Sequence, residues 1–237
     1  MKSGDQGMAR AKSLFKAYPR LYRTLTYIFG GWPIYMTART FVHTMPPDAK
    51  VINVGSGPHR LSDTIVNVDI FPFEGVDIVT DGEHLPFEAG SVDAAVCDNV
   101  LEHIRHPERV VSEMLRVLKP GGRVFVAVPF VIPYHSSPDD FYRWSEEGLR
   151  QMFAEFNETE LKIQYGPSAA FTMVLCEWLA LLLSFNSDAL YTLVLFTTTI
   201  LTAPLKLLDF LLVHYKRAHN MPLTFYFIGT KKTGSEQ

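Results

Sequence analysis

From Lys50 onward the apolar positions fall into short, nearly continuous runs at residues 51–54, 65–68, 76–79, 94–97 and 124–128, each closed by a polar or glycine-bearing turn. Runs of that length predict strands, and their continuity predicts a sheet covered on both faces. Between the fourth and fifth runs the period changes. His106-Pro107-Glu108-Arg109 opens a helix with proline in its first turn, Val110, Val111, Met114, Leu115 and Leu118 form its buried stripe, and Pro120-Gly121-Gly122 stops it. The first crossover is shorter, since about a dozen residues separate Gly57 from Asp69. That length predicts a single turn or an extended loop, with Pro58, His59 and Arg60 near whatever binds at the turn. The face left without a helix then needs cover from the amino-terminal segment.

The flanks have a different texture. Residues 8–45 read as two helical pieces parted at Gly30-Gly31-Trp32-Pro33, with Leu14, Phe15, Tyr18, Leu21, Tyr22, Leu25 and Ile28 at helical spacing among basic residues. Residues 129–144 form a loop rich in His, Asp, Tyr and Arg, after which Ser145 caps a helix ahead of Glu146 and Glu147. Two further strands are predicted at 161–165 and 223–229. Between Ser168 and Leu205 the only charged residues are Glu177 and Asp188. The uncharged run 189–205 reaches about 26 Å as a helix, slightly short of a hydrocarbon core of ~30 Å.

Composition bounds the picture without naming a partner. The chain has 237 residues and a net charge of −3, enough for one α/β domain with an appendage. Residues 1–50 hold Lys2, Arg10, Lys12, Lys16, Arg20, Arg23, Arg39 and Lys50 against Asp5 and Asp48, so the amino-terminal arm is basic. It is either a helical lid on the domain or a membrane-surface arm. Cys97 and Cys176 are far apart in apolar company, which leaves neither a disulfide framework nor a CxxC zinc site and fits a reducing cytoplasm. Arg23, Gly30, Gly31 and Pro33 break the first apolar stretch, so no secretory signal is expected. No basic stripe interleaved with stacking aromatics points to nucleic acid.

The chemistry begins at Val51-Ile52-Asn53-Val54-Gly55-Ser56-Gly57, a strand delivering backbone to a small-residue turn, and at Asp69, an acid closing the next run. A ligand can approach such a turn closely, and the acid can grip a ribose diol, which together indicate a nucleoside cofactor. Asn53-Val54-Gly55-Ser56-Gly57, Asp69, Asp81-Gly82-Glu83-His84-Leu85-Pro86-Phe87, Asp98-Asn99-Val100-Leu101-Glu102-His103 and Leu118-Lys119-Pro120-Gly121-Gly122 occur in that order. This ordered set, from about Lys50 to Phe156, resembles the class I S-adenosylmethionine-dependent methyltransferases of type 11.

The resemblance implies an α/β, Rossmann-like sheet of seven strands, mostly parallel, with helices on both faces. It also implies S-adenosyl-L-methionine as cofactor, with Gly55, Ser56 and Gly57 by its methionine and ribose, Asp69 at the ribose hydroxyls, Asp81 by the adenine amino group, Asp98 and Asn99 at the methionine end, and Asn53, Ile70, Gly82 and Glu83 as further cofactor-binding candidates. Asn53 stands where an acid is common in this family, and Pro58-His59-Arg60 replaces a usual glycine. In the resembling fold the strands flanking residues 166–222 are neighbours, so that insert must return to the side it left. A shallow helical hairpin turned at Asn186-Ser187-Asp188, a two-span hairpin and a buried lobe all meet this condition.

The loop after the fifth strand is the candidate acceptor wall, with His135, Asp139, Asp140 and Arg143 as catalytic candidates. His135 suits proton removal from a hydroxyl, oriented by Asp139 or Asp140, and Arg143 suits a carboxylate or phosphate. The competing reading is a loop stapled by an Asp-Arg pair, with His135 as a structural hydrogen bonder. His103 reads as a cap at a strand-to-helix junction. No metal site is expected, because these ligands leave a His-Asp set underdetermined. The loop also resembles methyltransferases of surface-polysaccharide and lipid-linked glycan pathways, which implies O-methylation of a small-molecule, glycan or lipid-linked acceptor. The resulting layout is a basic arm (1–48), a methyltransferase domain (49–165 and 223–232) and a hydrophobic insert (166–222), in a protein peripheral or monotopic at the cytoplasmic face of a membrane. The alternatives are a cofactor-binding module without catalysis and a dinucleotide-dependent oxidoreductase.

Overall fold

A computed structural model describes residues 30–58, 60–135 and 139–233. Its centre is a seven-stranded sheet in the order β3-β2-β1-β4-β5-β7-β6, comprising β1 (Val51–Val54), β2 (Val66–Asp69), β3 (Ile78–Val79), β4 (Val92–Asp98), β5 (Leu118–Pro129), β6 (Phe156–Tyr165) and β7 (Thr224–Lys231). β1 to β5 pair in parallel, and β7 lies antiparallel between β5 and β6. The predicted α/β class and seven strands are both found.

Alternation along the central strands accounts for the two covered faces. Ile52, Val54, Ala95, Cys97, Val124, Val126 and Val128 bury one face under α2 (Pro107–Val117), which inserts Val110, Val111, Met114 and Val117, and under α3 (Glu146–Met152) through Leu149. Val51, Ala94, Val96, Phe125, Ala127, Tyr226 and Ile228 bury the other under α1 (Ala38–His43). Phe41 of α1 packs against Phe125 with ring centroids 5.5 Å apart, and Phe125 stacks on Tyr226 at 5.9 Å. The amino-terminal segment thus supplies the cover that the short first crossover lacks. The first predicted helical piece, within residues 8–29, lies outside the described residues, as does His59.

Three local expectations need correction. α2 stops at Val117, and Pro120-Gly121-Gly122 belongs to β5, because Leu118 is already extended and pairs with Val92 before an irregularity in the ladder. Gly121 has φ +75°, and a Cβ on Gly122 would lie 2.8 Å from the Lys119 carbonyl, so the glycines shape a kink inside the strand. β3 is reduced to two residues, because Asp77 turns its carboxylate to the Asn67 amide (2.8 Å) and to Arg60 (3.0 and 3.1 Å). Arg60 also donates to the carbonyls of Gly75 and Ile65, so it clamps β2 to the loop before β3 instead of facing a ligand.

Residues after β6 form a helical hairpin of α4 (Pro167–Leu183) and α5 (Asp188–Thr202), followed by a 3₁₀ segment (Ala203–Leu208) and the single turn α6 (Asp209–Leu212). Phe185 and Asn186 take left-handed conformations in the turn, and the Ser187 hydroxyl accepts from the Leu190 amide to start α5. Within the hairpin Tyr191 donates to Glu177, and Cys176 contacts Thr202 at 3.3 Å. Its base is tied by buried Asp209, whose oxygens accept from the Ser168 and Ala169 amides at the start of α4 (2.6 and 2.9 Å). Gly166 fits this clasp because a Cβ there would sit 2.4 Å from the Asp209 carboxyl carbon.

Much of the hairpin's apolar surface is uncovered: Trp178, Leu181, Leu193 and Leu201 are exposed, and Phe185 at the tip is 85% exposed. Residues 188–212 are long and apolar enough to cross a membrane, by length and composition.

Candidate functional site

In a parallel sheet of this kind ligands bind at the carboxyl-terminal ends of the strands, where the order reverses. That reversal lies between β1 and β4, and the loops leaving β1, β2, β4 and β5 meet at this edge. β6 runs parallel to β5, since both are antiparallel to β7, so the hairpin also departs from this edge.

The turn after β1 has the predicted form. Gly55 and Gly57 have φ of +71° and +55°. The amides of Gly55 and Ser56 donate to the Val68 carbonyl (2.8 and 3.1 Å), and Gly57 donates to the Asp69 carboxylate (2.8 Å). A Cβ on Gly55 would be 2.5 Å from both methyl carbons of Val100, whereas one on Gly57 would meet nothing within 4 Å. The first glycine is therefore required by packing against the loop after β4, and the second leaves open space above the turn. Asp69 also accepts from the Phe71 amide (2.9 Å), so it holds the turn while each oxygen keeps a lone pair for a further donor. Ile70 follows it, exposed on the surface.

The remaining expected cofactor residues divide. Asp81 accepts from the Glu83 amide (2.9 Å) and Glu83 pairs with Arg109 (3.0 Å), an ordered exposed turn. Gly82 lies under Val54 and Val110, where a Cβ would approach within 3.3 and 3.4 Å. Asp98 accepts from the Asn99 side chain (2.8 Å), and burial, opposed by that bond and reinforced by Glu102, pushes its carboxyl up to about 6. Asn99 has φ +53°, a conformation asparagine tolerates better than most residues. Buried Asn53 donates its amide to Asn67 on β2 (3.1 Å), which gives it a role in joining the two strands.

In the loop after β5, the candidate acceptor wall, the described residues are organised around Asp140 and Arg143. The guanidinium pairs with both carboxylate oxygens (2.5 and 2.7 Å) and donates to the carbonyls of Ile132, Pro133 and Tyr142. Arg143 holds the Asp140 carboxyl well below the usual carboxylate range. With its donors turned inward, Arg143 is placed as the staple of the loop, the arrangement that competed with substrate binding in the sequence. Asp140 also accepts from the His135 amide (2.8 Å) and lies 3.5 Å from its Nδ1. Asp139 contributes its backbone carbonyl, 2.5 Å from His103 Nδ1, so His103 ties this loop down instead of capping a helix. Val131 and Ile132, like Met173, pack against the buried cluster of Ala169 and Ala170 of the hairpin with Leu223.

Sequence reasoning missed Glu102. It is fully buried beside His103 and His135, with Oε1 3.7 Å and 3.8 Å from their Nε2 atoms, and the two imidazoles lie edge to face at 5.1 Å. The Glu102 carboxylate, aided by Asp140, raises the pKa of His135 against the opposing effect of burial. The available signal was the acidic residue itself, next to a histidine in the short 3₁₀ turn Leu101–His103 that follows β4.

Comparison with known proteins places part of this architecture. A family described as "Methyltransferase domain" matches residues 59–126. An uncharacterized methyltransferase of Mycobacterium sp. (strain KMS) is 36% identical over 96 residues, covering 33% of this chain and 38% of the relative. An uncharacterized 37.1 kDa protein of a Streptomyces fradiae transposon is 32% identical over 90 residues, covering 38% and 26%. The chain therefore aligns with well under half the length of these relatives. Among solved structures, the [4+2]-cyclase SpnF superposes with TM-score 0.54 at 16% identity, covering 94% of this chain and 96% of its own. Haemonchus contortus phosphoethanolamine N-methyltransferase 2, in complex with phosphomonomethylethanolamine and S-adenosylhomocysteine, superposes with TM-score 0.53 at 15% identity, covering 88% and 56%. Residues 59–126 therefore resemble a methyltransferase domain, and the glycine turn just before them, the adjoining acid and the strand order fit the fold of a class I S-adenosylmethionine-dependent methyltransferase.

Proposed function

We propose that the protein methylates an acceptor drawn from an apolar phase, transferring the methyl group of S-adenosyl-L-methionine to an oxygen of a glycan or lipid-linked molecule at a membrane surface. The observation that carries this reading is the position of the hairpin. Its exposed apolar faces rise from the ligand edge, and its base packs directly on Val131 and Ile132 of the acceptor loop. A hairpin set against a bilayer would hold the acceptor loop at the lipid boundary, where such acceptors reside.

The fit of the cofactor rests on the chain's own groups. Open space above Gly57 and the free lone pairs of Asp69 suit a ribose diol, exposed Ile70 offers an apolar surface to an adenine, and Asp98 suits an ammonium. The bound cofactor supplies an electrophilic methyl on a sulfonium. What the protein adds is alignment: holding acceptor and methyl in line is worth effective molarities of about 10⁵–10⁸ M. His135, half-buried and held by Asp140, is the proton acceptor for a hydroxyl. Arg143 and Asp140 act through it by fixing the loop.

The test combines radiolabelled S-adenosylmethionine with vesicles of anionic phospholipid. Co-sedimentation with vesicles and label in lipid or glycan extracts are expected, with label lost in His135→Ala while cofactor binding persists. Cofactor binding without label in any extract would favour the non-catalytic module instead, a use of the fold compatible with its occurrence in SpnF, described as a [4+2]-cyclase. A protein that stays in solution beside such vesicles would remove the membrane part of the proposal.

A further inference from the structure

We propose that Glu102, His103 and His135 bind a first-row divalent transition-metal ion at the ligand edge. The starting observation is a carboxylate without a partner. Glu102 is fully buried, and neither of its side-chain oxygens has a hydrogen-bond partner among the described residues. A buried charge is normally paired and hydrogen-bonded, so this one points to a missing cation.

The donors around it have the required arrangement. One ligand atom from each of the three residues can be chosen so that all lie within 4.8 Å of one another. The distances of 3.7 and 3.8 Å from Glu102 Oε1 to the two Nε2 atoms are too long for hydrogen bonds. They are close to the separation of donors that each stand about 2.0–2.2 Å from a shared ion, so a small contraction completes the site.

Groups behind the donors fix the ring orientations. His103 Nδ1 faces the Asp139 carbonyl at 2.5 Å, and His135 Nδ1 faces the Pro133 carbonyl at 3.3 Å and the Asp140 carboxylate at 3.5 Å. With Nδ1 protonated toward those acceptors, each Nε2 presents its lone pair toward Glu102. Outer partners of this kind accompany metal-bound histidines. The Asp140–Arg143 pair then has a purpose beyond stapling the loop, because it anchors the carboxylate behind His135.

The donor set selects the ion. Two imidazoles and one carboxylate suit zinc, manganese, iron or cobalt, whereas calcium and magnesium prefer oxygen ligands. Three protein donors leave coordination positions open for an oxygen ligand. On the methyl-transfer reading above, on which this role rests, that ligand is the acceptor oxygen. With the ion bound, His135 Nε2 is a ligand and no longer the base, and the ion instead favours the ionised acceptor, whose proton passes to water.

The full chain, stripped with chelator and titrated with Co²⁺, reports binding through visible ligand-field absorption, and Zn²⁺ added afterwards should displace it. One equivalent is expected. His135→Ala and Glu102→Gln should abolish the bands, and Asp140→Asn should weaken binding about 10- to 100-fold. His135 lies on a loop, so its alanine variant carries the test if Glu102→Gln fails to fold. Absence of bands at millimolar Co²⁺, or equal bands in His135→Ala with unchanged circular dichroism, would overturn the site. Because neither methyl donor nor acceptor is present, that failure would leave the methyl-transfer reading standing.

Discussion

Gly55→Ala is the sharpest probe of the turn, because two separable penalties meet at one atom. The backbone there has φ +71°, where an L-residue costs about 1–2 kcal/mol more than in the ordinary regions. The added methyl would also lie 2.5 Å from both γ carbons of Val100, and overpacking of this kind costs about 1–3 kcal/mol. Reduced freedom of the unfolded chain returns about 0.4–1 kcal/mol. The expected net loss is about 1–5 kcal/mol, read from urea unfolding at unchanged m-value. Val100→Ala removes the two 2.5 Å contacts but keeps the Val100 Cβ at 3.0 Å, so it should rescue most of the packing part and leave the backbone part. The double-mutant cycle is therefore expected to show a favourable coupling of about 1–3 kcal/mol. Full additivity, or a Gly55→Ala variant as stable as the parent, would refute the claim that Val100 dictates a glycine here. The rescued double variant should still bind S-adenosylmethionine more weakly than the parent, measured by calorimetry, because the turn's amides remain displaced.

Other outcomes follow from neighbouring features. Asp98, pushed up to about 6 by burial, holds a proton in the folded state that the unfolded chain releases near pH 4. Its contribution to stability is present below that range and lost as pH rises through about 6, while its charge becomes available to the cofactor's ammonium. Cofactor affinity should therefore rise from pH 5 to 7.5 in the parent and stay flatter in Asp98→Asn; parallel profiles would remove Asp98 from the pocket. Asp209→Ala deprives two buried amides at the start of α4 of their acceptor, which should cost about 1–3 kcal/mol and speed proteolysis within the hairpin. Phe41→Ala should cost about 3–5 kcal/mol in thermal or urea unfolding, since the ring is fully buried against Phe125. Arg143→Lys keeps a charge but not the paired contacts with Asp140, so turnover should fall while cofactor affinity is unchanged.

The sheet was legible because its strands are continuous apolar runs whose ends coincide with glycines or acids, and the turn at Gly55 to Gly57 and the position of Asp69 were legible for the same reason. What escaped was set by contacts between distant segments. Asn53 occupies a motif position, yet its amide is used by Asn67 fourteen residues later. Arg60 follows the glycine turn, but Asp77 and the Gly75 carbonyl draw it away. Pro120-Gly121-Gly122 has the composition of a helix stop, and only the pairing of Leu118 with Val92 shows that the strand has already begun. The convergence of Glu102, His103 and His135 depends on how the loop after β5 folds back over the 3₁₀ turn Leu101–His103, which no local periodicity encodes. The hairpin was readable as apolar helices, whereas its attachment to the acceptor loop through Val131 and Ile132 required the fold.

The placement of β7 sets the order in which the molecule can be completed. Among the described residues it is the last strand in sequence and the next to last across the sheet, so Val126 on β5 meets its partner Phe227 only after the whole hairpin has been made. Until then β5 and β6 each present an open, apolar border to solvent, a template for pairing with other chains during synthesis. A chain cut before Thr224 would retain every group of the glycine turn and yet be prone to aggregate. Segments added within the insert would lengthen that vulnerable interval without touching the ligand edge, which makes the interval a kinetic constraint on how large the greasy appendage can become.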